Sequence, residues 1–178
     1  MVSSPDVSAR IRSLWTRLAP KPGGRALFAW MLGRMVPYTG SIHPRVVELR
    51  AGYARVEMRD RRALRNHLNS IHAVALANLA EVASGLAVIY GFPPATRGIL
   101  VGFTIEYLKK ARGTLVAECD CGVLDVSTPI ECEVEVVVRD AAGDVVVRAR
   151  PRWRIGPIAA SSVAPAIPGA APAATASR

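Results

Sequence analysis

The chain of 178 residues is 51% hydrophobic and 21% charged, which supplies the core of one domain and excludes a wholly disordered protein. No uninterrupted apolar run approaches the ~18 residues of a membrane span, so we expect no stable membrane insertion. The net charge of +9 comes from the N-terminal third, because residues 1–65 contain 13 basic and 4 acidic side chains whereas residues 66–156 contain 9 and 10.

Residues 1–40 form a basic zone with helical periodicity. Apolar residues recur at helical spacing from Leu14 to Leu18 and again from Leu27 to Met35. We therefore expect two amphipathic helices with arginines on their outer faces, the second of them ended by Pro37. These helices are interpreted as a basic cover on the domain that follows, with attachment to anionic lipid as an alternative.

Residues 41–59 alternate between apolar and polar side chains like two strands. Ala51-Gly52 is a plausible turn between them. In this pattern Val47 and Leu49 share one face of the first strand.

One long apolar segment follows the two strands. Ser70 can serve as the N-cap of a helix, and Gly91 followed by two prolines can end it. A helix of about 20 residues that is apolar on nearly all sides must be buried on most of them.

The remainder has repeated β character and then changes composition. Short connections separate four predicted strands and imply that successive strands are antiparallel neighbours. The strands are Ile99–Leu108, Thr114–Val126, Ile130–Arg139 and Val145–Ile155. Residues 157–178 are mostly Ala, Pro and Ser, and we expect a disordered tail.

The order of two strands, one helix and four strands predicts an α+β hotdog fold over residues 41–156. An antiparallel sheet of five or six strands would wrap around the long helix and bury it. Open sheet edges usually find a symmetric partner, so we expect a homodimer, with a dimer of dimers as an alternative.

The segment from Asn66 to Glu81 resembles the hotdog acyl-CoA thioesterases. Their pattern has Asn or Gln six residues before a His-Gly-Gly sequence and an acid nine residues after the His; here Asn66, His72 and Glu81 have that spacing. Residues 102–113 are similar to the family's strand that ends in an aromatic, a basic or proline pair, Ala and Gly. The resemblance covers about residues 41–156 and is closest to a branch catalogued as a domain of unknown function.

The resemblance implies a role for each matching residue. Glu81 would be the base or nucleophile, and Asn66 would orient water or the thioester from the opposite chain of a dimer. The family's Gly-Gly is Ala73-Val74 here, and the N–H of Ala73 would be the oxyanion donor. His72 would play a supporting part.

Two positions differ further from the family pattern. Asn69 replaces a glycine, which is a mild change because Asn tolerates a left-handed backbone. Gly85 occupies a place where the family often has a hydroxyl, and Ser84 is displaced from it by one residue.

Glu81 is also conspicuous without the family pattern. It is the only acidic residue between Asp60 and Glu106, and it interrupts an apolar helix. A carboxylate in such a place is paired, hydrated in a cleft or raised in pKa, which is common at functional sites. The alternative is a glutamate on a solvated stripe of the helix.

Three cations follow the third predicted strand. Lys109, Lys110 and Arg112 either form a solvated hairpin end or bind the phosphates of coenzyme A. The arginines at 59, 61, 62 and 65 could assist them. His43 and His67 lack a partner pattern and are interpreted as surface or turn residues.

The cysteines do not predict a metal site. Cys119, Cys121 and Cys132 lack a fourth soft ligand at usable spacing, so buried free thiols are expected, with neither metal nor cofactor. Three cysteines, together with ten first residues unlike a secretory signal, lead us to expect a reduced cytoplasmic protein. No RNA-binding signature or aromatic stripe is present, so nucleic acid is not an expected partner.

These features together predict a thioesterase that hydrolyses an acyl-CoA or related acyl thioester. A non-catalytic hotdog module that binds acyl-CoA or an acyl chain is the alternative from another class. Hydration or dehydration of an acyl thioester ranks last, because its usual arrangement of His and acid differs from the nine-residue spacing here.

Overall fold

The computed structural model of the chain describes residues 6–158. Five helical segments and seven strands form this part of the chain, one short helix, one 3₁₀ turn and one strand more than predicted. The helices are α1 (Val7–Leu18), α2 (Gly24–Met35), α3 (Pro37–Ser41) and α4 (Ala73–Tyr90), with a 3₁₀ turn at Arg62–Leu64. The strands are β1 (Arg45–Arg50), β2 (Tyr53–Met58), β3 (Thr96–Tyr107), β4 (Leu115–Asp120), β5 (Ile130–Glu133), β6 (Val136–Arg139) and β7 (Val145–Pro157).

The two predicted N-terminal helices are confirmed as α1 and α2. Pro37 begins α3, so α2 ends at Met35. One arginine of α1 does not face outward: the Nη1 atom of Arg12 donates to the carbonyl oxygens of Tyr90 and Phe92, at 2.9 and 2.6 Å. These carbonyls lie at the carboxyl end of α4, where backbone acceptors lack helical partners, so Arg12 ties α1 to the central helix.

A single antiparallel sheet has the order β1-β2-β4-β6-β7-β3, and β5 also pairs with β7. The strands β5 and β6 both pair with β7, one after the other along its length. They replace the single predicted strand Ile130–Arg139, which is interrupted at residues 134–135. The sheet is therefore six strands wide. The expectation that β3 and β4 are neighbours is wrong. The connection between them crosses the amino end of α4, and β3 becomes an edge strand beside β7.

The first strand contains a bulge that the alternating pattern did not show. Its register against β2 shifts between Val46 and Glu48. Val46 and Leu49 are therefore buried while Val47 is only half-buried, in contrast to the prediction that Val47 and Leu49 share a face. The predicted turn is correct, with Gly52 at φ +75°.

The helix α4 is the central helix of the predicted hotdog fold, and the sheet covers most of it. Among residues 6–158 it is the one helix long and apolar enough to cross a membrane by length and composition, but most of its residues are buried in this core. The stripe formed by Val74, Ala77 and Glu81 is left uncovered. The predicted tail lies outside the described residues from residue 159 onward, whereas Pro157 still belongs to β7.

Candidate functional site

A tight loop precedes α4 and is closed by its own backbone. Arg65 and Ile71 form an antiparallel bridge, and the N–H of Asn66 donates to the carbonyl of Ser70 at 2.8 Å. The side-chain Oδ1 of Asn66 accepts from the N–H groups of Leu68 and Ser70, at 2.9 and 3.2 Å. The carbonyl end of the carboxamide is thus fixed, while its NH₂ group has no acceptor among the described residues.

The backbone conformation of Asn69 explains how the loop turns back. Its φ is +53°, in the left-handed region predicted for this replacement of glycine. The guanidinium of Arg65 donates to its Oδ1 atom, and that of Arg112 donates to its carbonyl. Two cations therefore hold this residue from opposite sides of the loop.

Ser70 is not the N-cap of the central helix. Its hydroxyl donates to the carbonyl of Ala111 at 3.0 Å, and the N–H of Ile71 donates to the same oxygen at 2.9 Å. The helix instead begins after His72, whose Nδ1 atom accepts from the N–H of Val74 at 3.1 Å. Ser70 therefore binds the β3–β4 connection, and the imidazole of His72 is the N-cap of α4.

The first turn of α4 leaves one backbone donor free. The N–H of Val74 is bound by His72, and the N–H of Ala75 donates to the His72 carbonyl at 2.9 Å. Within residues 6–158 the N–H of Ala73 has no acceptor. At the positive end of the helix, such a donor is suited to bind a carbonyl oxygen that acquires negative charge.

An open cavity of about 320 Å³ lies beside this free donor. Asn66 and Ala73 line it from the loop and the helix, Leu76 from the first turns of α4, and Lys109 and Lys110 from the β3–β4 connection. Four of the residues proposed from the sequence thus share one cavity. His72 and Val74 line a separate cavity of about 240 Å³ on the other side of the helix start.

Tyr107 is a cavity residue that the sequence analysis did not select. Its hydroxyl donates to the carbonyl of Ala73 at 3.2 Å, and partial burial raises its pKa. The signal was available, because Tyr107 is the aromatic residue at the end of the strand that is similar to the family's strand.

Asn78 is a second residue that the sequence analysis did not single out. It is 4% exposed, its Nδ2 atom donates to the carbonyl of Tyr38 at 3.0 Å, and its Oδ1 atom has no partner among the described residues. It lines the second cavity. Its visible role is to fasten α3 to the central helix.

The carboxylate of Glu81 is exposed and does not reach the cavity of its own chain. Eight residues separate it from Ala73, about 12 Å along the axis of a helix. The described residues offer its side chain neither a hydrogen bond nor an ion pair. Within one chain the carboxylate therefore lies on the uncovered stripe of α4, away from Asn66 and Ala73.

Ser84, the residue before the position at which the family often has a hydroxyl, is part of the core. Ser84 is fully buried; its Oγ atom donates to the Glu81 carbonyl at 2.9 Å and accepts from Nε1 of Trp153 at 3.3 Å. Gly85 packs beneath the same indole. Neither residue presents a hydroxyl to the carboxylate.

The three candidate phosphate-binding cations have different surroundings. Lys109 bridges Asp140 and Asp144 at 2.7 and 2.6 Å, and these hydrogen bonds raise its pKa. It is thus already neutralised. Lys110 is exposed at the cavity without an acidic partner among the described residues, and Arg112 lies across the loop from it.

Asp60 links the two segments that form the cavity. Its carboxylate accepts from Arg65 at 2.7 Å and from the N–H of Gly113 at 3.1 Å. The Arg65 hydrogen bond is the main cause of its lowered pKa. Of the arginines upstream of the motif, Arg65 is committed to this contact, and Arg61 donates to the carbonyl of Ser41.

The three cysteines are free thiols, as predicted, but the prediction that they are buried is correct only for Cys119, since Cys121 and Cys132 are half-buried. Cys119 is fully buried, and a hydrogen bond with Cys121 together with burial raises its pKa. Residues 6–158 contain no group of three or more His, Cys, Asp or Glu side chains arranged to hold a metal ion.

Comparison with known proteins gives one family and several similar structures. The family model of a domain of unknown function, DUF4442, matches residues 24–155. Among curated proteins none matches the chain. The crystal structure of the structural-genomics protein APC5556 has a TM-score of 0.73 and 34% identity, over 84% of this chain and 98% of that one.

Two further crystal structures show the same fold at lower identity. The Pseudomonas aeruginosa protein PA5026, described as a probable thioesterase, has a TM-score of 0.65 and 23% identity over 77% of this chain and 97% of that one. A mutant form of the thioesterase SAV0944 from Staphylococcus aureus has a TM-score of 0.62 and 11% identity over 68% of this chain and 100% of that one. These likenesses confirm the predicted hotdog fold.

Proposed function

Because this chain belongs to the DUF4442 family and has the hotdog fold, in agreement with the resemblance identified from its sequence, we propose that it hydrolyses acyl thioesters at the start of α4. Solved hotdog proteins described as thioesterases, SAV0944 among them, support the reaction class. The acyl-CoA substrate and the residue roles below rest on the geometry of the site and on the motif.

The free N–H of Ala73 is the observation on which the proposal depends most. The capping by His72 leaves this one donor of the first turn available beside the cavity. A thioester carbonyl that accepts from it would gain stabilisation as its oxygen becomes an oxyanion. The NH₂ group of Asn66, whose Oδ1 atom accepts from two backbone N–H groups of the loop, would donate to the carbonyl or to the attacking water. Val74 lines the cavity on the other side of the helix start, so its exposed side chain would contact only a substrate that extends there.

The chemistry also requires a base or nucleophile, and we assign that role to Glu81 of a second copy. As a base, its carboxylate accepts a proton from water while the water oxygen bonds to the carbonyl carbon. The C–S bond then breaks, the thiol leaves with that proton, and a carboxylic acid remains. The ~12 Å along the helix between Ala73 and Glu81 of one chain is the reason for assigning the base to another chain.

The edge strand β3 is the surface through which we propose that two copies pair. It has twelve residues, of which only Arg97 and Glu106 are charged, and its outer edge has no neighbouring strand among residues 6–158. A long apolar edge of this kind favours pairing with another strand. Together with the uncovered stripe of α4, it would bring a second copy next to the cavity.

Lys110 and Arg112 are the two candidate cations for coenzyme A, because Lys109 is already paired with two aspartates. Lys110 lines the cavity and Arg112 donates to the carbonyl of Asn69 in the loop beside it, and both would bind the phosphates through charge-assisted hydrogen bonds. Lys109 would instead brace the connection on which Lys110 lies, through its ion pairs with two aspartates.

The test measures turnover of a panel of acyl-CoAs by detecting the free thiol that each reaction releases. Glu81→Gln should reduce kcat by at least a hundredfold, because general-base catalysis contributes on this scale. Glu133→Gln is the matched control, since Glu133 is an exposed carboxylate on β5 without an ion pair among the described residues. Unchanged turnover in Glu81→Gln would refute the assignment of the base.

A non-catalytic acyl-CoA-binding module is the second candidate. It is favoured by the exposure of Glu81 and by the use of Ser84 in the core, which leaves the carboxylate without a local partner among the described residues. Binding of acyl-CoA by calorimetry without release of thiol from any member of the panel would establish this alternative.

A further inference from the structure

A second large groove lies away from the thioester site, on the outer side of the N-terminal helices. It has a volume of about 870 Å³. We call it the α2 groove and define it by Trp30, Gly33, Arg34, Gly40, Arg45 and Arg59, which line it. None of these six residues lines either cavity at the start of α4, although Ser41 lines both this groove and the cavity of about 240 Å³.

Two glycines set the shape of the groove. A Cβ atom on Gly40 would lie 2.8 Å from the carbonyl oxygen of Gly33, and one on Gly33 would lie 3.0 Å from the Cα of Gly40. Only without these side chains can α3 fold back this closely on α2. The close approach places the outer face of α2 beside the start of β1.

The outer face of α2 exposes large apolar side chains. Phe28 and Leu32 are buried on the inner face, whereas Trp30 is 62% exposed and Leu27 is 46% exposed. The guanidinium of Arg34 lies 5.5 Å from the centre of the Trp30 ring. An exposed tryptophan beside a cation is the combination that proteins place at the interface between a bilayer and water.

The charged residues that line the groove and the cavity beside it are all cations. The sequence has no acidic residue between Asp6 and Glu48, and this interval contains seven basic ones. Lys21 and Arg25 line an adjoining cavity that shares Ala26 and Arg45 with the groove. Of the cations in these two cavities, only Arg45 has a carboxylate partner among residues 6–158, Glu57 at 3.1 Å.

We propose that the α2 groove, together with the cations Lys21 and Arg25 of the adjoining cavity, forms a peripheral docking site for bilayers that contain anionic phospholipids. Charge complementarity with lipid phosphates supplies the attraction, since each basic residue near an anionic surface strengthens binding about fivefold. The Trp30 ring and Leu27 then enter the interfacial layer, and the helices do not span the bilayer. This surface is separate from the thioester site and stands whether or not the chain is an enzyme.

Sedimentation of the full chain with vesicles tests the proposal. Vesicles of phosphatidylcholine with phosphatidylglycerol should bind the protein, vesicles of phosphatidylcholine alone should bind it weakly, and added salt should release it. Arg25→Gln combined with Arg34→Gln should weaken binding to anionic vesicles by about 25-fold. Arg139→Gln combined with Arg150→Gln, two exposed strand positions with the same change of charge, should weaken it far less.

Tryptophan fluorescence gives an independent readout of where the vesicle binds. Trp15 and Trp153 are buried, so a blue shift of emission on addition of vesicles should come from Trp30. Trp30→Phe should abolish the shift and keep most of the binding.

Four results would overturn the proposal. Two of them are equal binding to neutral and anionic vesicles and equal losses of binding in the two double variants. A third is a smaller oligomer for Arg25→Gln/Arg34→Gln without vesicles, which would make the groove a contact between copies. Preference for a DNA duplex over anionic vesicles, lost in the same variant, would equally refute it.

Discussion

The Nδ1 atom of His72 accepts a hydrogen bond from the backbone N–H of Val74 at 3.1 Å, which makes the imidazole the N-cap of the central helix. This contact removes one of the two nearest helical donors from the site and leaves that of Ala73. In the proposed mechanism His72 would thus be a positioning residue that selects the donor.

Replacing His72 should separate capping from chemistry. His72→Ala loses the cap, which costs about 1 kcal/mol of unfolding free energy, and lets the N–H of Val74 compete for the substrate oxygen. His72→Asn retains a side-chain acceptor and should recover most of both stability and kcat. Thermal unfolding and thiol release measure the two effects. A proton-transfer role would instead leave His72→Asn as inactive as His72→Ala.

Mixing two inactive variants should restore activity if each site uses two chains. A mixture of Glu81→Gln and Asn66→Ala chains, unfolded and refolded together, forms mixed dimers with one intact site. With equal amounts we expect about a quarter of the wild-type activity. Separately refolded variants, combined just before the assay, are the control. A refolded mixture as inactive as its components would place Asn66 and Glu81 of the same chain in one site.

Removal of the Arg12 guanidinium should loosen α1 from the central helix. Arg12→Met keeps the apolar stem but loses both hydrogen bonds to the carbonyls of Tyr90 and Phe92, which should cost about 2 kcal/mol. Arg10→Met on the exposed face of the same helix is the matched control. Urea unfolding at one protein concentration measures the difference. Equal midpoints for the two variants would show that the tie contributes no net stability.

The ion pair of Asp60 should make stability depend on acid pH. Its pKa is lowered in the folded chain, so its contribution is complete above its ordinary pKa of about 4 and is lost as pH falls through the folded value. Asp60→Asn should therefore be destabilised at pH 7, and its deficit should vanish in acid. Unfolding curves from pH 7 to pH 3 measure this, with Glu133→Gln as the control at an exposed carboxylate that has no ion pair among the described residues. A deficit independent of pH would refute it.

The predicted elements were accurate where periodicity is local. The apolar stripe of α2 and the nearly uniform apolarity of α4 predict helices because burial depends on residues three and four positions apart. The bulge at Val47 was missed, since one extra residue in a strand becomes visible only when its partner strand is in place. The neighbour of β3 was mispredicted for a related reason. A short connection limits how far apart in space the ends of two strands can lie, but it does not make the strands neighbours in the sheet, because it can pass across the end of a helix.

Residue types and their intervals were enough to predict the fold class. The spacing of Asn66, His72 and Glu81 was also enough to identify the family resemblance. Which polar groups are free to act became visible only once the chain was folded. Folding engaged Ser70 with Ala111, Lys109 with two aspartates and the N–H of Val74 with His72, and it left the N–H of Ala73 without a partner among the described residues. A polar group is available only if folding places no partner within hydrogen-bonding distance, and most such partners come from distant parts of the chain.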